Sequence, residues 1–584
     1  MSHRLKKIQF KNNFLVVILF FVVAMMSVYP LYHTGYITGV ASDAAFHFSR
    51  VEQIFDNLKR GSLSTFIATD TFHHTGVGSF LFYPTIFLYP WAFLRFFLNP
   101  VAAFYSWYGL LVFVSLLISY FSMKSFSKNN LRSLMFAFLY TFAMYKLRLG
   151  MLYFVLGEFI ASTFLPLAFL GFYHVFWGDS RKWPELVIGI TLVGYSHFLS
   201  LFLTVIIFSI LLICKLAMVR RIEIKRLFAL LKSVGLTILT LGFIVWPFLT
   251  DYIGKNLKSP PRGAWYVASI SDLVNRSLTN NVFTAYNIGF FLIVGVLIGW
   301  YFVKKDLKEL YIYLVGLVLL LVSTTFFPWE SVKNGILGTI QFPYRLHIFA
   351  SLMLAISASF MLEKMLTRKN NKEKSFLIMC LLVLFAINYV SIVNTVVNPA
   401  RVESAEYLQP NKSEIIRALD PHKLIKVDQN NFANIFQYGA TFGESDYYPQ
   451  SAINSEGVPG YMGKQEKIMQ NIMYINDKPK KVHPIVESNK LKYVVKVKNQ
   501  TMLNLPVVAY SDTTVTINGV QSKFVTSKRG TVAVKINSGV NKITVGYRPQ
   551  TFFYVLLTIA IIIWIFLIYS VSLIHIKGEE ECLN

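Results

Sequence analysis

The chain has 584 residues, 54% of them hydrophobic, and carries a formal net charge of +26 at pH 7. Its apolar residues form uncharged runs of about 17 to 22 residues, long enough to cross a hydrocarbon core of about 30 Å as helices. This pattern excludes an ordinary soluble globular protein and indicates a polytopic α-helical membrane protein. The positive charge lies mostly in short clusters between the apolar runs, where membrane topology explains it, so we expect no nucleic-acid partner.

The first apolar run begins at Phe14, after a basic stretch that could be mistaken for the start of a secretory signal. The run ends with Ser27-Val-Tyr-Pro30-Leu-Tyr, which lacks the small-residue pattern of a cleavage site. We therefore expect this run to remain in the protein as the first transmembrane helix. The three cysteines lie in or beside apolar runs or in the C-terminal tail, and they predict no disulfide framework and no cysteine-based zinc site.

Following the chain, we predict about twelve transmembrane helices. The apolar stretch 80–98 is interrupted by Pro84 and Pro90, and we expect a re-entrant or interfacial hairpin there. The predicted transmembrane helices lie near residues 14–33, 101–121, 133–147, 155–177, 184–198, 200–217, 227–249, 284–303, 309–326, 342–362, 375–396 and 551–572.

The basic residues between these helices predict the topology. With the N-terminus inside and the helices crossing in turn, every strong basic cluster falls on the cytoplasmic side, as the positive-inside rule requires. Counting 80–98 as a full span would reverse every later loop, so we expect both termini to be cytoplasmic. The clusters are Lys124/Lys128/Arg132, Arg181/Lys182, Lys215/Arg220/Arg221/Lys225/Arg226, Lys304/Lys305/Lys308 and Lys364/Arg368/Lys369/Lys372/Lys374.

Three regions follow from this topology: a multi-span module over 1–396, an extracytoplasmic region over 397–550, and a final helix with a cytoplasmic tail over 551–584. The later part of the middle region alternates polar and apolar residues, and Asn-Gly and Ser-Gly pairs separate the alternating stretches. This pattern predicts a small antiparallel β-rich domain near the C-terminus.

The outer loop 34–100 contains the first candidate for chemistry. Asp43, His47 and Arg50 fall at i, i+4 and i+7, so a helix would present all three on one face. A carboxylate four residues before an imidazole suits a general base with an orienting partner, or half of a metal site. The alternative is an exposed helix start, capped by Asp43 after Ser42.

Further ionisable residues lie at the predicted outer ends of spans. Arg148 follows the third span, and Glu158 lies within an apolar run, where a central charge costs roughly 2.5–3.5 kcal/mol on insertion scales. We therefore expect Glu158 to face a polar cavity. His197 interrupts another apolar stretch, and it is either a packing residue or a member of the same site.

Gln341 and Arg345 mark the outer start of a later span and share a face at i, i+4, and Pro343 suits a first helical turn. The planar guanidinium fork suits a phosphate, although an arginine that reaches the lipid headgroups is the alternative. Arg262 lies in the outer loop 251–283, against the inside bias of basic residues, where it either meets an anionic ligand or lipid or is solvated.

The segment around Asp43, His47 and Arg50 resembles the first outer loop of GT-C fold glycosyltransferases. Other motifs resemble the bacterial membrane proteins labelled "6-pyruvoyl-tetrahydropterin synthase related". Glu406-Tyr-Leu and the β region before a final span resemble the YfhO-like group. Typical members carry Trp where this chain has Tyr344 and Pro where it has Gln409, which leaves the subfamily and the sugar open. The motifs that resemble the proteins labelled "6-pyruvoyl-tetrahydropterin synthase related" are Gly157-Glu158, Phe164-Leu-Pro-Leu, Ser196-His197 and Gln341-Phe-Pro-Tyr-Arg345.

The resemblance implies an inverting glycosyltransferase of the bacterial cell membrane. It would move a sugar from a polyprenyl (undecaprenyl) phosphate carrier to an extracytoplasmic cell-envelope acceptor such as a teichoic acid or surface polysaccharide. Asp43 would be the general base, and arginines would stabilise the leaving phosphate; no cofactor or metal is expected. The implied catalytic residues are Asp43, His47 and Glu158, and the implied donor-binding residues are Arg50, Arg148, His197, Arg262, Gln341 and Arg345.

Two other classes of protein remain as alternatives. A transporter or flippase for lipid-linked sugar or polysaccharide favours polar groups near mid-membrane and internal repeats, whereas here the polar groups gather at one face. A scaffold that presents the β domain to partners would not need Asp43, Glu158 and Arg345 on the same side.

Overall fold

The computed structural model describes residues 2–218, 223–254, 257, 262–367, 369–411, 416–440, 443–452 and 465–581. The α-helices are α1 (Ser2–Tyr32), α2 (Ala44–Lys59), α3 (Ser79–Phe82), α4 (Tyr89–Leu94), α5 (Pro100–Ser127), α6 (Asn130–Thr141), α7 (Met144–Leu147), α8 (Leu156–Phe176), α9 (Trp183–Gly194), α10 (Phe198–Met218), α11 (Ile224–Pro247), α12 (Ile270–Leu278), α13 (Phe290–Val303), α14 (Leu307–Val322), α15 (Trp329–Val332), α16 (His347–Thr367), α17 (Asn371–Val397), α18 (Pro399–Ser404), α19 (Gln465–Met469) and α20 (Thr551–Glu581). The strands are β1 (Ile37–Val40), β2 (Glu406–Tyr407), β3 (Leu424–Val427), β4 (Ile472–Ile475), β5 (Lys478–Lys481), β6 (Ile485–Glu487), β7 (Lys490–Val497), β8 (Thr501–Val508), β9 (Thr513–Ile517), β10 (Val520–Gln521), β11 (Val525–Thr526), β12 (Thr531–Ile536) and β13 (Gly539–Tyr547).

Eight helices of the described chain are long and apolar enough to cross a membrane, which agrees with a membrane-embedded protein. The prediction of about twelve spans is not confirmed, because four of the predicted spans form helices of only 12 to 16 residues: α6, α9, α13 and α14. At about 1.5 Å per residue, such helices are shorter than a hydrocarbon core of about 30 Å. The eight are Asn13–Tyr32, Pro100–Ser127, Leu156–Phe176, Phe198–Ala217, Ile224–Ile253, Pro343–Thr367, Asn371–Ser404 and Thr551–Ile574.

Local capping sets the ends of the shorter helices. The Asn129 side chain accepts a hydrogen bond from the Arg132 N–H at the start of α6. Gly289, with a φ of 91°, precedes α13, and the Asp306 side chain accepts two backbone N–H groups at the start of α14. Hydropathy alone does not register these caps, because a run of apolar residues continues across a turn as readily as along a helix.

The aromatic stretch 80–98 forms short pieces, with α3 and α4 joined through a 3-10 turn at Ile86–Leu88. Pro84 lies between them, where its ring prevents a continuous helix. The guanidinium of the buried Arg50 donates hydrogen bonds to the carbonyl oxygens of Tyr83 and Pro84. A side chain thus supplies the hydrogen bonds that an uninterrupted helix would have made within its own backbone.

The predicted β-rich region contains two five-stranded sheets in the described chain, with strand orders β10-β9-β13-β7-β6 and β11-β12-β8-β4-β5. All of their pairings are antiparallel. Buried residues of both sheets, such as Leu491 and Val545 of one and Leu503 and Val534 of the other, share one hydrophobic core. The alternating stretches of the sequence correspond to β7, β9, β12 and β13, so the prediction of a β-rich region is confirmed for this part of the chain.

The loop 34–100 and the region after residue 404 are joined through backbone hydrogen bonds. Strand β1 pairs with β3, with Ile37 opposite Val427. Farther along the loop, the Val508 N–H donates to the Thr75 carbonyl oxygen at 2.9 Å. These hydrogen bonds place the region after residue 404 directly against the loop that carries Asp43.

Candidate functional site

Asp43 lies in the turn between β1 and α2, immediately before the first helical residue. Its side chain makes no capping hydrogen bond; its Oδ1 accepts the hydroxyl of Ser42 at 3.1 Å. The turn is held from the other region, since the Ala41 N–H donates to Lys423 O and the Ser42 N–H donates to Pro421 O. Helix capping therefore does not account for this carboxylate.

Charges from two distant segments act on the Asp43 carboxyl. Burial raises its pKa from 3.8 to about 6, the Ser42 hydrogen bond and the positive charge of Arg345 oppose the rise, and the negative charge of Asp446 adds to it. A carboxyl with a pKa near 6 is mostly ionised at neutral pH and still basic enough to accept a proton. That combination suits a general base.

His47 and Arg50 are buried on α2, with exposed fractions of 1% and 0%. The Arg50 guanidinium donates to Tyr83 O at 2.6 Å and to Pro84 O at 2.9 Å. Neither ring nitrogen of His47 has a hydrogen-bond partner among the described residues. Burial, with the positive charges of Arg50 and His197, lowers the pKa of His47 well below its ordinary value, so this imidazole is neutral. The hydrogen bonds of Arg50 therefore stabilise the backbone at residues 83 and 84.

Tyr83 lies at the centre of the candidate site. Its ring packs edge-on against His47, with centroids 5.6 Å apart, and lies 5.5 Å from the His197 ring. A Cβ placed on Gly157 would lie 2.0 Å from its hydroxyl oxygen, so the hydroxyl rests on the first turn of α8. Burial raises the pKa of Tyr83, and the charges of Asp43, Arg345 and Glu158 also act on it. This phenol therefore stays protonated and can donate a hydrogen bond.

Glu158 and Arg345 face each other within the site. The Glu158 carboxylate is 3% exposed; its Oε1 accepts the Tyr145 hydroxyl at 3.0 Å, and its Oε2 lies 3.9 Å from Arg345 Nε. Arg345 Nη1 donates to Ile340 O at 2.7 Å and to Gln341 Oε1 at 3.1 Å. The expected proximity of Gln341 and Arg345 is therefore present, and it orients the guanidinium toward the carboxylate.

Arg148 and His197 lie at the edges of this group. The Arg148 guanidinium stacks on the Tyr153 ring at 3.6 Å, and its charge acts on Glu158. Its Nε has no hydrogen-bond partner among the described residues. His197 Nδ1 lies 2.9 Å from the Ser200 hydroxyl, which orients the ring that packs against Tyr83.

Arg262 is the predicted site residue that the structure leaves on the surface. Its side chain is exposed, and its Nη1 lies 3.5 Å from the carbonyl oxygen of Asn334. The loop that carries it is nevertheless connected to the site, since the Trp265 N–H donates to Gln341 O at 2.8 Å. Of the predicted donor-binding residues Arg148 and Arg262, Arg148 is thus the buried one.

Segment 443–448 of the region after residue 404 packs against the site. The Tyr447 ring stacks on Phe46 of α2 and on Phe82 of α3, with interplanar angles of 16° in both cases. The Tyr510 hydroxyl donates to Tyr447 O at 2.6 Å. Gly443 comes so close to Phe46 that an added Cβ would lie 2.7 Å from its ring. This packing places the Asp446 charge beside Asp43.

A strained turn holds the same segment from the loop side. Phe72, His73 and His74 have φ values of 50°, 58° and 59°, a left-handed conformation that non-glycine residues keep only where their surroundings impose it. His73 Nδ1 lies 3.7 Å from Glu444 Oε1, and Asn471 Nδ2 donates to His73 O at 3.0 Å. The turn therefore lies against the start of segment 443–448.

Sequence reasoning missed Tyr83, Asp446 and Tyr447. Tyr83 belongs to an apolar stretch in which nothing marks one aromatic residue above the others. Asp446 and Tyr447 lie in the part of the polar region with the weakest periodicity, and only tertiary packing brings them to α2. The one feature of the sequence that could have indicated Tyr83 is the Tyr-Pro pair at 83–84. A proline at 84 interrupts the helix at that point, and the interruption turns the Tyr83 ring inward.

The described residues include no group of three or more His, Cys, Asp or Glu side chains arranged to hold a metal ion. Comparison with known proteins finds no protein-family model and no curated protein that matches this chain. The site is therefore interpreted from its own geometry.

Proposed function

We propose that this protein is an inverting glycosyltransferase that moves a sugar from a polyprenyl phosphate, such as undecaprenyl phosphate, to an extracytoplasmic cell-envelope acceptor such as a teichoic acid or surface polysaccharide. The observation that carries the proposal is the convergence of Asp43, Glu158 and Arg345 at one end of the helices. Such a group combines a base of suitable pKa, a fixed cation and a second carboxylate for sugar hydroxyls.

The proposed reaction is a single displacement. Asp43 takes the proton of an acceptor hydroxyl while that oxygen attacks the anomeric carbon of the donor sugar. The bond between the anomeric carbon and the phosphate oxygen breaks, and the polyprenyl phosphate leaves with the electron pair. Attack opposite the leaving group inverts the configuration at the anomeric carbon.

The leaving phosphate gains negative charge, and a fixed cation in a site shielded from water stabilises that charge most strongly. Arg345 suits this role because Gln341 and the Ile340 carbonyl group orient its guanidinium before substrate arrives. Arg148 supplies a second buried cation with an unpartnered Nε. Glu158, held by Tyr145, is suited to accept a hydrogen bond from a sugar hydroxyl.

The topology supports the same proposal. By the charge bias of the loops, the end of the bundle that holds Asp43 and Arg345 faces outward. A lipid-linked donor in the outer leaflet would bring its phosphate to the level of the helix ends, where the guanidinium groups lie. The β-rich region packed on the loop would then help to position a polymeric acceptor.

Purified protein in lipid nanodiscs tests the proposal with a panel of undecaprenyl phosphates that carry different sugars, supplied with and without teichoic acid or polysaccharide acceptors. We expect acceptor-dependent release of undecaprenyl phosphate for one donor, measured by mass spectrometry. If no donor is consumed, and labelled lipid instead crosses the bilayer of proteoliposomes, the transporter alternative replaces the proposal.

A further inference from the structure

A large apolar cavity in the described chain lies far from the candidate site. It has a volume of about 510 Å³ and opens between α5, α8, α10, α14 and α16. Its lining includes Tyr173, fifteen residues after Glu158 on α8, which places it about 22 Å along that helix. The cavity therefore lies at the opposite end of the bundle from Asp43 and Arg345, and the proposed reaction makes no use of it.

The wall of this cavity is almost entirely apolar and aromatic. Phe126 of α5, Phe169 and Phe172 of α8, and Ile312 of α14 all line it. Its volume falls within the 300–1,000 Å³ that is usual for small-molecule sites. Within a membrane, a cavity of this composition is suited to a hydrocarbon chain.

Two lysines supply the charged part of the lining. Lys308 Nζ lies 3.5 Å from the Phe126 ring centroid and 3.4 Å from the Tyr173 hydroxyl. Lys215 Nζ lies 4.4 Å from the Trp177 ring centroid and donates to Phe176 O. Neither ammonium group is paired with a carboxylate within the part of the chain that the structure describes.

A structural role at the end of α8 does not explain both lysines. Arg226 Nη1 already donates to Val175 O at 3.0 Å and to Gly178 O at 3.1 Å, so the carbonyl groups of that helix end are largely covered. An ammonium group has three donors, and the hydrogen bonds of Lys215 and Lys308 account for one donor each. An anion at the mouth of the cavity would use the donors that remain.

We propose that this cavity binds an anionic phospholipid from the adjacent leaflet, with one acyl chain inside it and the phosphate on Lys215 and Lys308. Basic pockets between transmembrane helices on the side of the basic loops are suited to anionic headgroups, and that leaflet is rich in them. The combination of charge and apolar wall selects this occupant over a zwitterionic lipid. The inference is independent of the proposed glycosyl transfer.

The test is native mass spectrometry of the delipidated full-length protein, titrated with phosphatidylglycerol or with phosphatidylcholine of the same acyl chains. We expect tighter binding of phosphatidylglycerol by the unaltered protein. Lys215→Ala/Lys308→Ala is expected to weaken that binding by about 25-fold, from about fivefold per lysine. Lys304→Ala/Lys305→Ala removes two nearby charges that do not line the cavity and is expected to bind as the unaltered protein does.

A second variant tests the apolar part. Val315→Trp places a large side chain into the cavity and is expected to reduce binding of phosphatidylglycerol while the helical circular dichroism spectrum is retained. Equal binding of the two lipids by the unaltered protein would overturn the proposal, as would unchanged affinity in Lys215→Ala/Lys308→Ala. Binding of undecaprenyl phosphate in place of phosphatidylglycerol would overturn it too.

Discussion

The Nε atom of Arg345 lies 3.9 Å from Oε2 of Glu158, so a guanidinium before α16 faces a carboxylate in the first turn of α8. Both side chains are largely buried, with exposed fractions of 15% and 4%. The distance leaves the pair short of a close bidentate contact, and the charge of Arg345 also reaches Asp43. The positive charge of Arg345 thus acts on both Glu158 and Asp43. In the proposed reaction, the residue that binds the leaving phosphate therefore also affects the general base.

Replacing Arg345 by glutamine is expected to lower kcat by about 10²–10³-fold, the usual loss when one preorganised donor to a developing negative charge is removed. Arg345→Lys keeps the charge but not the planar fork, so it is expected to recover part of the loss. Steady-state kinetics with the donor that the nanodisc panel selects provide the measurement. Arg276→Gln, which removes a partly exposed arginine paired with Asp272, is the matched control; a loss as large in this control would contradict the assignment.

The pH dependence of kcat/KM is expected to follow the ionisation of Asp43. A base must be ionised, so activity should rise with pH through a midpoint near 6 and level off above about 7. Because the positive charge of Arg345 lowers the pKa of Asp43, Arg345→Gln should move this midpoint upward. A flat profile between pH 5 and 8 would contradict the role of Asp43.

The same shift predicts a trend in stability. The pKa of Asp43 in the folded protein, about 6, exceeds its ordinary value of 3.8. Its contribution to the free energy of unfolding is therefore fully present below pH 3.8 and is lost as the pH rises through 6. Asp43→Asn is expected to remove this component. Thermal unfolding at pH 4 and pH 7 measures it, and an identical pH dependence in the variant would contradict the shift.

Gly157→Ala tests whether Tyr83 is positioned as the structure shows. The new Cβ would lie 2.0 Å from the Tyr83 hydroxyl oxygen, so the ring must move, and a misplacement of about 1 Å can cost about 10²-fold in rate. On a Tyr83→Phe background the hydroxyl is absent, and the same substitution is expected to cost less. Gly235→Ala in α11 has nothing within 4 Å of its Cβ and is the control. Equal losses of rate from Gly157→Ala with and without the Tyr83 hydroxyl would contradict the contact between Tyr83 and Gly157.

Cysteine labelling tests the orientation of the site. In a chain whose three native cysteines are replaced by serine, Ser62→Cys in the loop 34–100 is partly exposed and Lys305→Cys in a basic loop is exposed. We expect a membrane-impermeant maleimide to label residue 62 from outside the cell and residue 305 only after the membrane is opened. The reverse pattern would place Asp43 on the cytoplasmic side.

Part of the fold could be predicted from the sequence. Long apolar runs indicate helices buried in lipid, and alternation of polar and apolar residues indicates strands with one buried and one exposed face. Strands such as β7 and β13 and eight long helices followed from those two patterns. The lengths of α6, α9, α13 and α14 did not, since they depend on caps and turns at single residues such as Asn129 and Gly289. A hydropathy average over a long window does not resolve such positions.

The candidate site divides in the same way. Asp43, Glu158 and Arg345 were predictable, because a charge at the end of an apolar run is costly and needs a partner. Tyr83 and Asp446 were not, because their importance depends on contacts across hundreds of residues. For Arg50, nothing in the sequence indicated that its Nη2 donates hydrogen bonds to the carbonyl oxygens of Tyr83 and Pro84, and its predicted role in donor binding stays a prediction.

The most direct measurement of the central claim is the single-turnover rate of sugar transfer by Asp43→Asn. General base catalysis contributes about 10²–10⁴-fold, so the variant is expected to transfer sugar slower by that factor while it still binds donor. Asp56→Asn removes a carboxylate from the same helix, one that is paired with Lys59, and is expected to keep the unaltered rate. Transfer by Asp43→Asn at the rate of the unaltered protein would contradict the account.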